Sequence, residues 1–232
     1  LAAARANVLA TRACATAAAR AGATCFVLAS SKKAGSAASV HGATRRLAEA
    51  AAFGAATDVF SVRAVRLGNV LGSRGGLLAR FRDQALAGGP VTLTHEDAAR
   101  FVLVAEEAAS ALLTAAAPAL AVSGGHVLVP DHGEQVRVRD IAEAVVGWAR
   151  SQRPSAPPVE VRVVGLRAGE SLRDPAPEGL LAVVPGLFSH PVPVIAGIAA
   201  LVDGLDAAVR AADEERVRSL LRETFAELLT RR

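Results

Sequence analysis

The chain of 232 residues has no tyrosine, no methionine and only two cysteines, Cys14 and Cys25. Two cysteines cannot form a disulfide framework and these lack the spacing of metal ligands, so the sequence predicts no metal site and a reducing, cytoplasmic setting. Long uninterrupted apolar runs are absent too, because the most apolar stretch, 180–202, contains three prolines. This interruption argues against a membrane helix, while membrane anchoring of a longer form of the protein stays open.

Lysine is nearly absent, since Lys32 and Lys33 are the only two and the other 24 of the 26 basic residues are arginines. The arginines are scattered among acidic residues, the net charge is only +4, and aromatic residues make up 3% of the chain. A nucleic-acid-binding surface needs clustered cations, usually with aromatic neighbours, so we expect no nucleic-acid partner. A basic binding module is therefore the least favoured functional class, whereas single arginines suit a phosphorylated small ligand.

Short apolar runs alternate with helical segments along the chain. The runs at 24–30, 59–66 and 126–130 have the length and composition of strands, and we expect the first to be buried on both faces. This alternation predicts an α/β fold with a doubly wound, mostly parallel sheet. The elements after about residue 85 are shorter, so we expect one domain over 1–90 and a smaller substrate-binding lobe over 91–232, interleaved with late sheet elements and a helical tail.

Two polar segments follow the first two strands. The first contains Ser30, Ser31 and the lysine pair, and the next helix presents His41 and Arg45 four residues apart, on one face. Ligands bind at the carboxyl ends of parallel strands, so hydroxyls and cations there are well placed for a site. Lys33, beside another cation, has a tendency to lose its proton that suits a base. The alternative is a solvated basic loop.

The second segment, 66–76, is rich in glycine and contains Asn69 and Arg74, which can bind polar groups and phosphate. Two further segments, 91–101 and 165–170, contribute Arg100 and Arg167. The length and glycine content of 66–76 favour a ligand-binding loop over an ordinary glycine turn. Taken singly, each of the other two segments is equally compatible with a surface ion pair.

Taken together, these segments resemble the polysaccharide-biosynthesis, CapD-like branch of the extended short-chain dehydrogenases, which includes UDP-N-acetylglucosamine 4,6-dehydratases. The resemblance is carried by Asn7-Val8-Leu9 and by residues 26–49, 65–81, 88–101, 126–143 and 165–172. It implies a partial Rossmann-like sheet in which residues 1–90 form the C-terminal part of an NAD(P)-binding domain. It also implies a nucleotide-sugar substrate, dehydratase or epimerase chemistry and a possible homo-oligomer.

The resemblance also implies roles for individual residues. The catalytic group would be Ser31, Lys33, His41 and Arg45. The cofactor would contact Ser30, Arg45 and Arg66. The nucleotide diphosphate of the substrate would contact Asn69, Arg74, Arg100 and Arg167.

Several positions depart from the family pattern. Lys32 stands where the family has an acidic residue, and His41 and Arg45 stand where it has a tyrosine or methionine followed by a lysine. The glycine-rich GxxGxxG turn that holds dinucleotide phosphates is absent from the chain, so we expect an N-terminally truncated relative. These departures leave two alternatives open: a nucleotide-sugar dehydratase or epimerase with an altered catalytic loop, or a non-catalytic homologue that binds nucleotide sugars.

Overall fold

The computed structural model describes residues 1–37, 39–118, 120, 126–166, 170–174, 179–192 and 195–225. The chain divides into two compact units. Unit 1 comprises Leu1–Leu67, Ser110–Asp131 and Pro177–Arg232, and unit 2 comprises Gly68–Ala109 and His132–Ala176. This division differs from the boundary that we expected near residue 90, because the chain leaves unit 1 at Gly68 and returns to it twice.

The elements follow one another in short succession. The strands are β1 (Cys25–Ser31), β2 (Ser61–Leu67), β3 (Asn69–Val70), β4 (Val91–Leu93), β5 (Ala99–Arg100), β6 (Val102–Leu103), β7 (His126–Pro130), β8 (Val136–Arg137), β9 (Val161–Val163), β10 (Leu181–Val184) and β11 (Leu187–Pro191). The helices are α1 (Ala10–Arg20), α2 (Val40–Phe53), α3 (Leu77–Leu86), α4 (Ala105–Ala116), α5 (Val138–Gln152), α6 (Ile198–Arg210) and α7 (Glu214–Thr224). A π-helical turn, Ala4–Leu9, precedes α1, and a 3-10 turn, Lys32–Gly35, follows β1.

Unit 1 is built on a five-stranded sheet of order β1-β2-β7-β11-β10. Strands β1, β2 and β7 are parallel, β11 is antiparallel to β7, and β10 is antiparallel to β11. Four of the five strands therefore point in the same direction. The α/β fold with a mostly parallel sheet, as the sequence predicts, is confirmed.

Helices pack on both faces of this sheet. Successive side chains of β2 point to opposite faces, so neighbouring residues of the strand contact different helices. Val62 packs in a cluster with Ala52 of α2, whereas Val65 packs with Ala111 and Ala115 of α4. A further cluster joins α2 to the C-terminal helices α6 and α7, with Leu47 at its centre. The even-numbered positions of β2, which include Arg66, therefore face α2.

The β10–β11 hairpin lies in the apolar stretch 180–202, for which the sequence pattern predicts no strand. Its prolines occupy places that a sheet tolerates: Pro185 lies in the turn between the strands and Pro191 at the end of β11. Gly186, at φ 75°, completes the turn in a conformation that favours glycine. The two prolines that interrupt this apolar stretch therefore lie in the turn and at the end of two short strands.

Unit 2 has a separate core between α3 and α5. Phe81 of α3 and Val145 of α5 enclose Val91 and Leu93 of β4, which pairs in parallel with β9. Two further ladders, β3 with β6 and β5 with β8, each join only two residues per strand. In the part of the chain that the structure describes, no helix combines the length and the apolar character that crossing a membrane requires.

Candidate functional site

The turn after β1 is closed by two serine side chains. The Ser31 hydroxyl accepts a hydrogen bond from the Lys33 N–H at 3.3 Å and begins the 3-10 turn. Ser39 then caps α2, because its hydroxyl accepts from the Gly42 N–H at 3.1 Å. Both turns therefore come soon after the end of β1. The first carries Lys33, and the second, the first turn of α2, carries His41.

The first turn of α2 packs tightly against the backbone of this 3-10 turn. A Cβ atom added to Gly42 would lie only 2.5 Å from the Lys33 carbonyl oxygen, so no larger residue fits without a shift. Between the two, the buried Ala37 has φ 45°, in the left-handed region that residues other than glycine seldom adopt. The helix is thus held against the segment that carries Lys33.

His41 and Arg45 form the polar face of α2 near this turn. Partial burial of the imidazole, followed by the positive charges of Arg45 and Lys33, lowers the pKa of His41 below its ordinary value. The imidazole is therefore neutral at pH 7 and able to accept a proton. Arg45 donates from Nη1 to the Ala29 carbonyl oxygen at 3.2 Å, and its Nε is buried without a hydrogen-bond partner among the described residues.

Below this face lies a buried ionic cluster, Ser30–Glu49–Arg66. Arg66 donates from Nε and Nη2 to the two carboxylate oxygens of Glu49, at 2.9 and 2.7 Å, and the Ser30 hydroxyl donates to Oε1 of Glu49 at 2.6 Å. The side chains of Arg66 and Glu49 are 5% and 1% exposed. The sequence pattern did not point to Glu49, although it follows His41 and Arg45 at helical spacing. The cofactor contacts predicted for Ser30 and Arg66 stay predictions.

In unit 2, Asn69 and Arg74 lie in the glycine-rich segment after β2. The Asn69 side chain donates to the Phe101 carbonyl oxygen at 3.2 Å, and the Asn69 N–H donates to the same oxygen at 2.9 Å. Arg74 is exposed. Asn69 therefore holds β3 beside the segment that carries Arg100, whereas Arg74 extends into solvent.

Arg100 is the centre of a second ionic cluster, Arg100–Glu170–Asp174, in unit 2. Its Nη1 donates to the Ala99 and Leu172 carbonyl oxygens at 2.8 and 2.9 Å. Its Nη2 lies 3.2 Å from Oε1 of Glu170, and its Nε lies 3.8 Å from Oδ1 of Asp174. The sequence did not indicate Asp174 as a partner.

Two other predictions concern residues for which the structure gives less. Arg167, predicted to contact the substrate, lies outside the described residues. Within the described ranges, no group of three or more His, Cys, Asp or Glu side chains is placed to hold a metal ion. Cys14 and Cys25 are free thiols.

Two solved structures share this fold. The structure of Pen from Bacillus thuringiensis matches with a TM-score of 0.67 and 23% identity, over 81% of this chain and 58% of that one. MoeE5 in complex with UDP-glucuronic acid and NAD matches with a TM-score of 0.58 and 25% identity, over 72% of this chain and 60% of that one. The class of fold predicted from the sequence is therefore confirmed.

Residues 1–176 match the family model described as polysaccharide biosynthesis protein, and the chain belongs to this family. It is 37% identical over 170 residues to the capsular polysaccharide biosynthesis protein CapD of Staphylococcus aureus, covering 72% of this chain. It is also 37% identical over 171 residues to the probable polysaccharide biosynthesis protein EpsC of Bacillus subtilis, covering the same share. The chain spans 27% of the length of each of these relatives.

Proposed function

We propose that this chain carries the proton-transfer part of an NAD(P)-dependent nucleotide-sugar 4,6-dehydratase or epimerase of polysaccharide biosynthesis. The observation that carries the proposal is the grouping of Lys33, His41 and Arg45 at the carboxyl end of β1. There α2 packs directly on the Lys33 backbone, and partial burial, followed by the charges of Arg45 and Lys33, lowers the pKa of the imidazole. Ligand sites of α/β sheets lie at this edge.

His41 is the proton acceptor in this proposal. Its imidazole is neutral near pH 7, because its pKa lies below the ordinary histidine value, and it can take a proton from a carbon or hydroxyl group of the sugar. Lys33, exposed at the turn, is the second proton-transferring group. The Ser31 hydroxyl already accepts the Lys33 N–H and so fixes the backbone between the two.

Arg45 suits the ribose hydroxyls beside the nicotinamide of a bound NAD(P), because its buried Nε has no hydrogen-bond partner among the described residues. When bound, NAD(P) would supply hydride acceptance and return. Arg45 keeps its positive charge at any physiological pH, so it would orient the ribose and favour neutral His41 rather than transfer a proton itself. This chain contains no GxxGxxG turn for the dinucleotide phosphates, and the contact that we propose for Arg45 lies at the nicotinamide end.

The substrate side of the proposal rests on unit 2. MoeE5, whose fold this chain shares, is described in complex with UDP-glucuronic acid and NAD, which supports a nucleotide sugar as the ligand class. Arg74 and Arg100 are the described cations that would bind its diphosphate, with Asn69 holding the strand beside Arg100. Arg167 joins them by resemblance alone. Assembly into a homo-oligomer is a further expectation.

The experiment is to express the complete reading frame that encodes this chain and to supply UDP-N-acetylglucosamine. Mass spectrometry should find loss of one water, and NMR a 4-keto sugar. His41→Gln and Lys33→Met should each lower turnover by about 10²- to 10⁴-fold, the usual contribution of a general acid or base. Arg218→Gln, which removes only an exposed pair with Glu214, is the control. Absence of both ketosugar and bound cofactor would overturn the proposal.

A second candidate is a non-catalytic homologue that binds nucleotide sugars, favoured by one observation: Lys32 reverses the charge of the family's acidic position. Binding without turnover by the unsubstituted protein would support it. The variant Lys32→Asp combined with Arg45→Lys then tests whether chemistry was lost at these positions. A gain of turnover supports the second candidate, and unchanged turnover in an active protein counts against it.

A further inference from the structure

We propose that Glu49 is a positioning residue: its buried carboxylate joins Arg66 to Ser30 and thereby fixes the sheet edge that carries Lys33 and the His41–Arg45 face of α2. This inference rests on the proposed function, because it concerns how the same group of residues is held. Glu49 itself is 1% exposed in its side chain and has no access to a ligand. It would act only through its two partners.

The cluster joins three elements at one point. Ser30 and Arg66 are direct register partners across the parallel pair β1–β2, so their side chains point to the same face of the sheet. Glu49 reaches down from α2 and binds both, with all three hydrogen bonds between 2.6 and 2.9 Å. A bidentate arginine–carboxylate pair fixes orientation as well as distance. The carboxylate therefore sets where α2 lies over the ends of both strands.

The same cluster reaches the 3-10 turn. The Nη1 atom of Arg66 lies 3.6 Å from the place where a Cβ of Gly35 would be, so the guanidinium lies under the turn that contains Lys33. Arg45, one helical turn before Glu49, is tied to β1 through the Ala29 carbonyl oxygen. Displacement of Arg66 would therefore be transmitted both to Lys33 and to the polar face of α2.

Stability alone gives a weak reason for an ion pair at this place. Replacing a buried ion pair by apolar residues of similar volume is often neutral or stabilising, because two charges no longer have to leave water. What an apolar pair cannot supply is the directional, bidentate geometry between α2 and the strand ends. We infer that this geometry is what the Glu49–Arg66 pair provides.

The decisive variant is the double replacement Glu49→Leu/Arg66→Met. It removes a positive and a negative charge together, so it leaves no unpaired buried charge and only a small direct electrostatic effect on His41. NMR titration of the His41 ring, assigned among the five histidines with His41→Gln, reports positioning without any ligand. If Lys33 and the turn move away, the pKa of His41 should rise toward its ordinary value, because burial and Lys33 contribute to lowering it.

In an active protein, the folded double variant should lose turnover on the order of 10²-fold, the effect of a small misplacement of catalytic groups. KM for the nucleotide sugar should change by less than about twofold, because the variant leaves in place the groups that we propose to bind the substrate equally in the ground state and the transition state. The parental His41 titration in the folded double variant would overturn the inference. Because that titration needs no turnover, failure of the proposed function is distinguished from failure of this one.

Ser30→Ala is the second variant, for use if the double variant does not fold. It removes one hydrogen bond to Glu49 and leaves the ion pair in place. The pKa of His41 should shift in the same direction by a smaller amount, and turnover should fall less than in the double variant. An unshifted titration with parental turnover in Ser30→Ala would likewise overturn the role assigned to the cluster.

Discussion

Two arginines near strand ends bind carboxylates in different ways. In unit 1, Arg66 is 5% exposed and places two nitrogens on one carboxylate, that of Glu49, at 2.9 and 2.7 Å. In unit 2, Arg100 is 13% exposed and shares its guanidinium between Glu170 at 3.2 Å and Asp174 at 3.8 Å, together with two backbone carbonyls. The Arg66–Glu49 pair has short hydrogen bonds and is shielded from water, whereas the contacts of Arg100 with its two carboxylates are longer and partly exposed to water.

The difference indicates what each arginine is available for. Short bidentate pairs are the strong ones, whereas an N···O distance of 3.8 Å is beyond a hydrogen bond. Exchanging Glu49 for another anion would require opening the core of unit 1, but an anionic ligand at Arg100 competes with carboxylates that are farther away and partly solvated. Arg66 is therefore held within the fold, and of the two arginines Arg100 is the one that we propose for the diphosphate contact.

The largest effect should follow from breaking the closed pair on one side. Glu49→Ala leaves the Arg66 guanidinium buried without its carboxylate, which we expect to lower the free energy of unfolding by about 3–5 kcal/mol. Urea unfolding followed by circular dichroism measures this. Glu143→Ala is the control, because Glu143 forms an exposed pair with Arg139 on α5 and should change stability little. Equal stability of the two variants would remove the contrast between the clusters.

A third arginine extends the comparison, since it is buried with no carboxylate partner among the residues that the structure describes. Arg63, on the opposite face of β2 from Arg66, donates to the carbonyl oxygens of Ala115, Ala117 and Leu120 at 2.7 to 2.8 Å and so caps the end of α4. Arg63→Met should lower the free energy of unfolding by about 3 kcal/mol, because buried acceptors lose their donor. Hydrogen exchange should rise at the last turn of α4. Protection equal to that of the unsubstituted protein would show that the cap contributes nothing.

The next effect concerns close packing at the candidate site. Gly42→Ala places a Cβ 2.5 Å from the Lys33 carbonyl oxygen and should cost about 1–3 kcal/mol, as overpacking does. Gly147→Ala in α5 is a matched helical control with no atom within 4 Å, and it should stabilise by about 0.5–1 kcal/mol. Thermal unfolding of both variants tests this. Stabilisation by Gly42→Ala equal to that by Gly147→Ala would contradict the close contact.

The sequence predicted those parts of the fold that local signals determine. The strand at 126–130 has the predicted bounds, since a buried apolar run defines it. Ser31, Lys33, His41 and Arg45 could be predicted as neighbours because they follow one strand end. The partnership of Glu49 with Arg66 could not, since it joins residues 17 positions apart through packing of α2 on the sheet.

Other features also depended on long-range contacts. The β10–β11 hairpin pairs with β7 from a segment whose prolines obscure any strand pattern. No local sequence feature marks the boundaries of the two units. The chain passes from unit 1 to unit 2 at Gly68 and returns to unit 1 within α4. Composition and periodicity report on neighbours in sequence, so pairings between distant segments lay beyond them.

The smallest effect on stability should come from the open cluster, and it tests the comparison most directly. Glu170→Gln removes one charge from the pair with Arg100 but keeps an oxygen that can accept from the Thr94 hydroxyl, which now lies 2.9 Å from Glu170. Because the Glu170 side chain is 26% exposed, we expect a change below about 1 kcal/mol in the free energy of unfolding. Arg100 would then be bound less tightly by the protein itself, and UDP should bind more tightly in calorimetry. Weaker UDP binding would mean that Glu170 contacts the ligand itself, rather than competing with it for Arg100.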